Sequence, residues 1–140
     1  MKRKKNEKIV IRLKPGMDLK RELDLLTKEE KIEAGWILSA VGSLTNYVIR
    51  FANQPKAATA IGHFELVSLT GTLSKNGSHL HISISNEKGA TIGGHLLEGC
   101  LIYTTMEIII EKSNEYSFTR KKDKETGWKE LAIKKLNIKG

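Results

Sequence analysis

The segment His79-Leu80-His81-Ile82-Ser83-Ile84-Ser85 alternates polar and apolar residues without a fault. In a β-strand, Leu80, Ile82 and Ile84 then share one face, and His79, His81 and Ser83 share the other. The two imidazoles project the same way from backbone positions roughly 6.6 Å apart, two rises of about 3.3 Å. Imidazole arms close such a gap onto one metal ion, at about 2.0–2.1 Å from each nitrogen. Alone, the pattern more often marks two partly exposed strand histidines, so a metal reading needs a third ligand.

His95 supplies a candidate. It follows Gly93-Gly94, where missing side chains permit close backbone approach, and a turn at Asn86-Glu87-Lys88-Gly89 would fold 91–96 back beside 79–85. Three protein ligands would leave one position of zinc, or of another divalent transition metal, open to water or a ligand. His63 is a possible fourth ligand. Glu65 and Glu107 are candidates to orient an imidazole or to act as general base on a metal-bound water, against a plain structural or solvent-facing role. Cys100 has no second thiol in the chain to pair with and reads as a small buried hydrophobe. The polar stretch Gly42-Ser43-Leu44-Thr45-Asn46 reads as a strand connection. No phosphate-binding Gly-x-x-x-x-Gly-Lys loop, readable pair of catalytic carboxylates or nucleophile elbow occurs, so the common hydrolase and nucleotidase signatures are absent.

These residues need a sheet to hold them. Ile9 to Leu13 suggests a first strand, stopped by Pro15-Gly16, and Asp18 is placed to cap a helix. Leu19, Leu23 and Leu26 recur at helical spacing, which predicts a helix over about 18–34 with Gly35 as its left-handed stop. Thereafter helical periodicity disappears. Short apolar runs at 36–41, 46–52, 63–73, 78–85, 91–96, 100–111 and 115–121 predict strands, with Lys75-Asn76-Gly77 as a tight hairpin turn and 52–62 as a loop or short turn. The expected fold class is α+β: one principal helix on a mostly antiparallel sheet.

At 140 residues the chain suits a single domain over 9–121, flanked by a basic tail at 1–8 and a basic extension at 122–140. The formal charge of +8 is unevenly spread: residues 1–8 and 120–140 hold 13 of the 24 Lys and Arg but only 4 of the 16 Asp and Glu. Any grip on phosphate would come from Lys2, Arg3, Lys4, Lys5 and Lys8 and from Arg120, Lys121, Lys122 and the lysines beyond, unless these are simply solvated ends. No run approaches the roughly 20 apolar residues of a membrane helix, and the expectation is a cytoplasmic protein.

Three stretches in register, Gly62-His63-Phe64-Glu65-Leu66-Val67-Ser68-Leu69-Thr70-Gly71-Thr72-Leu73, His79-Leu80-His81-Ile82-Ser83 and Gly93-Gly94-His95-Leu96-Leu97-Glu98-Gly99-Cys100, together with Gly42-Ser43-Leu44, resemble the PPC domain, the plant-and-prokaryote-conserved family that also carries a PD1-like DNA-binding label. The resemblance spans residues 9–111. It implies one helix on an antiparallel sheet, assembly as a homotrimer and, as in several prokaryotic members, a metal on the histidines matching His79, His81 and His95. Plant members carry an Arg-Gly-Arg-Pro segment that enters the DNA minor groove, which this sequence lacks, and tend to have Arg where His63 stands.

The expected function is therefore a trimeric, metal-binding PPC module with a DNA-associated or regulatory role. The alternative is a zinc-dependent enzyme or small-ligand sensor built on the three histidines. In a third reading the metal only staples a loop or the trimer interface, with a fourth ligand from a neighbouring copy.

Overall fold

The computed structural model describes residues 5–137. Its elements are β1 (Glu7–Leu13), α1 (Leu19–Glu29), β2 (Ala34–Arg50), β3 (Ala58–Ser74), β4 (Gly77–Ser85), β5 (Thr91–Leu96), β6 (Ile102–Lys112), β7 (Tyr116–Lys122) and β8 (Lys129–Lys135). The first six strands form one antiparallel sheet in the order β1-β6-β2-β3-β4-β5, and β5 pairs again with β2. That extra pairing curls β2, β3, β4 and β5 into a closed ring of strands. Strands β7 and β8 form a separate two-stranded hairpin.

Alternation decides what each strand buries. Leu80, Ile82 and Ile84 of β4 meet Leu66, Leu69 and Leu73 of β3, Met106, Ile108 and Ile110 of β6, and Leu19 and Leu23 of α1 in one continuous core. Cys100 belongs to it: its Sγ accepts from the Val48 N–H at 3.2 Å, and burial pushes its thiol pKa up, as a packed thiol requires.

The helix is shorter than its sequence suggests. It ends at Glu29, and Lys31, at φ 51°, makes the left-handed exit expected at Gly35. Gly35 instead lies in β2, where a Cβ would meet the Glu111 carbonyl oxygen at 2.9 Å. The two runs at 36–41 and 46–52 are one 17-residue strand, with register shifts near Ile37, Gly42 and Leu44 absorbing the polar stretch at 42–46. The loop expected over 52–62 gives its last residues to β3. Strand β8 was not read from the sequence at all, because lysines at 129, 134 and 135 flank only three apolar residues.

Asp18 ties the helix to the sheet. One carboxylate oxygen accepts from the Arg21 N–H at the helix start, the other from the Gly99 N–H at 2.8 Å, and Asp18 bridges Leu101 through backbone pairing. Farther along, Lys20 and Asp24 form an ion pair at 2.7 Å, while Asp24 accepts from the Ser78 N–H one residue before His79. Replacing Asp18 with Ala removes a cap and a charge-assisted bond to a distant backbone amide. The expected loss of unfolding free energy is about 2 kcal/mol in urea denaturation; a loss below about 0.5 kcal/mol would show that the helix does not depend on this anchor.

Candidate metal and ligand site

β4 carries His79 and His81 on its outer face, and antiparallel pairing sets His81 directly across from His95 of β5. The ligand nitrogens of the three residues all lie within 4.8 Å of one another, and Nε2 of His79 stands 3.2 Å from Nε2 of His81. Two nitrogens on a tetrahedral zinc at about 2.0–2.1 Å would be about 3.3 Å apart. The separation therefore fits a shared ion as well as it fits one N–H···N hydrogen bond. Ring centroids are 4.9–5.8 Å apart, so the three imidazoles surround a common point rather than stacking.

Small residues place this triad. A Cβ at Gly94 would sit 2.5 Å from the Arg50 carbonyl oxygen and 2.7 Å from Ile49 Cγ2, so only glycine lets β2 reach β5 there. The approach produces the Ile49–Leu96 and Arg50–His95 pairs. Gly71, at φ 148°, plays the same part on the other side, where a Cβ would lie 2.0 Å from the His79 carbonyl oxygen.

A cavity of about 720 Å³ opens over the histidines. Its walls include two guanidiniums. Arg50 follows from the β2–β5 pairing and lies 6.0 Å from the ring centroid of Trp128. Arg120 of β7 donates from Nη2 to Thr72 Oγ1 at 2.9 Å, and Thr72 is the register partner of His79. Among the described residues neither guanidinium has a carboxylate within ion-pairing distance; Glu130 lines the cavity and acts on Arg120 only from farther away. Burial, then the guanidiniums, depress the imidazoles: His95 is lowered to about 4 by burial and then Arg50, and His79 is lowered by burial and then Arg120. Both are neutral at pH 7, the state in which a ring nitrogen can bind a metal.

Other candidate residues lie elsewhere in the chain. His63 packs its ring on Tyr103 at 4.6 Å, nine residues along β3 from the partner of His79, roughly 30 Å at strand rise. Glu65 pairs with Ser43 and Ser85, and Glu107 sits on β6 opposite Arg12 and Val41, accepting from Thr105 Oγ1. Within one chain none of the three joins the histidines. Of the basic residues, Lys2, Arg3 and Lys4 lie outside the described residues, while Lys5 is exposed with its carbonyl accepting from Asn114 Nδ2. Lys121 and Lys122 are exposed at the end of β7, whereas Arg120 turns into the cavity.

Sequence reasoning missed Arg50, Trp128 and Glu130. The last two come from the β7–β8 hairpin, whose turn is fixed by Asp123: Oδ1 accepts from the Glu125 and Thr126 N–H groups, and Gly127 takes φ 76°. Asp-x-x-Thr-Gly before Trp128 was the available signal for that turn.

The model of the Plants and Prokaryotes Conserved domain matches residues 2–114. This chain belongs to that family. It is 44% identical over 126 residues to the bifunctional protein GlmU of Synechococcus sp. strain JA-3-3Ab, covering 90% of this chain and 20% of that protein. The chain thus spans about a fifth of the length of the curated relatives it first matches. A hypothetical protein from Salmonella cholerae-suis superposes with a TM-score of 0.91 at 34% identity, covering 94% of this chain and 95% of that one. A metal-containing protein from Archaeoglobus fulgidus superposes with a TM-score of 0.78 at 25% identity, covering 90% and 93%. No helix among the described residues is long and apolar enough to cross a membrane.

In metal-free protein the His95 ring should titrate with a midpoint about 4, against the ordinary 6.5, when its carbon-bound protons are followed by NMR. Between those values the unfolded chain holds a proton the folded chain lacks, so folding stability falls as pH drops through the window. A midpoint near 6.5 would mean that His95 is not desolvated beside Arg50.

Proposed function

We propose that this PPC-family chain is a metal-dependent small-ligand-binding protein, in which His79, His81 and His95 would hold one divalent transition metal, zinc being the ion best suited to three imidazoles, beside the cavity. The supporting observation is the convergence of three ring nitrogens within 4.8 Å at the floor of that cavity. When bound, the ion supplies a Lewis-acid centre. The residues around it would bind and orient: the guanidiniums of Arg50 and Arg120 attract negative charge, and among the described residues Glu130 is the one carboxylate on the wall. The metal-containing protein of Archaeoglobus fulgidus, which shares this fold, supports the reading.

The assembly we propose is a homotrimer. The outward face of the six-stranded sheet exposes Val10, Val41, Ile61, Val67 and Tyr103, with Ile61 92% exposed, an apolar surface suited to burial between copies. His63, Glu65 and Glu107 are exposed and would act at such an interface rather than at the histidines.

A second, DNA-associated reading rests on the exposed lysines of the hairpin, Lys121, Lys122, Lys129, Lys134 and Lys135, together with the basic residues at 2–5. Such binding would be sequence-tolerant and would involve the domain's basic ends at 1–8 and 122–140.

Two outcomes are expected. Elemental analysis of protein purified without chelators should find about one metal per chain, lost in His79→Ala, His81→Ala and His95→Ala, with light scattering giving three times 15.7 kDa for the wild type. Metal-free wild type would overturn the metal reading. Duplex DNA affinity, measured by anisotropy, should fall steeply from 50 to 200 mM salt. It should weaken in a Lys121→Gln, Lys122→Gln, Lys135→Gln variant and stay unchanged in His81→Ala; binding that ignores the lysines would sink the second reading.

A further inference from the structure

From the cavity walls we infer that the ligand is a small oxyanion held by the guanidiniums of Arg50 and Arg120, beside the ion that the three histidines would hold. The inference rests on the three-histidine metal reading and adds the chemical class of what that metal holds.

Three observations carry it. First, both guanidiniums line the same cavity as the triad, each tied to a histidine through the sheet: Arg50 is the register partner of His95, and Arg120 bonds to Thr72, the partner of His79. Second, neither is neutralised within ion-pairing distance among the described residues, so the N–H groups not used on Thr72 are available. Partly buried cations without a carboxylate are costly unless an anion visits, and guanidinium N–H groups match phosphate or carboxylate oxygens. Third, the ring of Trp128, presented by the Asp123–Gly127 turn, lies 6.0 Å from the Arg50 guanidinium on the same cavity wall. Trp128, itself on the cavity wall, is a positioning residue in this scheme, acting through its ring on the Arg50 guanidinium.

The arrangement suits a phosphate ester or an organic carboxylate, since both offer one oxygen to a metal and a second to a guanidinium. Glu130, on the same hairpin as Arg120 and acting on its charge, puts one negative charge on the cavity wall, which favours a single anionic group with a neutral or cationic remainder over a bulky polyanion.

The test uses full-length protein loaded with cobalt, whose visible spectrum reports the ligands of the ion, after metal content has been measured on the same samples. Inorganic phosphate and acetate are titrated separately, which distinguishes the two oxyanion sources. The expected result is a saturable spectral change with one of them, weakened roughly ten- to a hundredfold by Arg50→Gln and by Arg120→Gln at unchanged metal content. Trp128→Ala should weaken binding in the wild type and have no further effect in Arg50→Gln, a non-additivity that a merely structural role would not give. Metal-loaded protein that binds neither anion, or binds equally in both arginine variants, overturns the inference while leaving the metal reading intact. Failure to load cobalt at all overturns the metal reading instead, and in that case phosphate binding by calorimetry that still depends on Arg50 and Arg120 would support an anion site without a metal.

Discussion

The close approach of β2 to β5 at Gly94 is the constraint on which the rest of the site depends. A methyl group there would collide with the backbone of Arg50 and the side chain of Ile49, so the ring of strands would open at this point. With the ring closed, one β-ladder sets His95 across from His81 and a second sets Arg50 beside His95. The core packs under the same closure: Ile49 and Leu96 are fully buried and are partners in that short ladder. A single missing side chain thus couples the stability of the curled sheet to the geometry of its polar outer face.

That geometry puts cations where cations are unwelcome. Three imidazoles and two guanidiniums share one cavity, and His79 and His95 yield, their pKa values lowered by burial and then by the arginines. Neutral imidazole is a donor of lone pairs, and a fixed guanidinium attracts anions, so the two halves of the site favour opposite charges at adjacent points. A metal ion on the histidines would sharpen this, adding positive charge at the floor and increasing the pull on an anion between it and the guanidiniums. The lowered pKa of Arg120, caused by burial, marks the same tension.

The strands nearest the histidines were legible because one physical rule governs them. Alternation over 79–85 assigned faces residue by residue, and the turns at 75–77 and 86–89 are short enough to fix which strand follows beside which, so the meeting of His81 and His95 could be read from spacing. Arg50 could not: its place depends on a bulged 17-residue strand whose phase changes along its length, and no local pattern reports the sum of those shifts. The helix end failed for a related reason, since Lys31 adopts the left-handed conformation that composition would give to Gly35. Strand β8 was hidden by its lysines, which face water on a hairpin that makes ladder bonds only with β7.

The division between floor and walls follows the division of the sequence. His79, His81, His95, Thr72 and Arg50 lie within the stretch matched by the family model, residues 2–114, whereas Arg120, Trp128 and Glu130 lie beyond it on the hairpin. The hairpin is joined to the body by local bonds, from the Phe118 N–H to the Glu33 carbonyl, from the Lys75 N–H to the Phe118 carbonyl and from the Arg120 N–H to Asn76, and by Phe118 tilted against Trp36. The Arg120 side chain adds a bond from Nη2 to Thr72 Oγ1, and Asn76 and Arg120 are the cavity-lining side chains among these links, none of which involves residues 128–130. Residues at 128–130 can therefore change without disturbing the strand pairings that hold the histidines, which makes the hairpin the part of the fold where the choice of ligand can vary while the three-nitrogen floor stays the same.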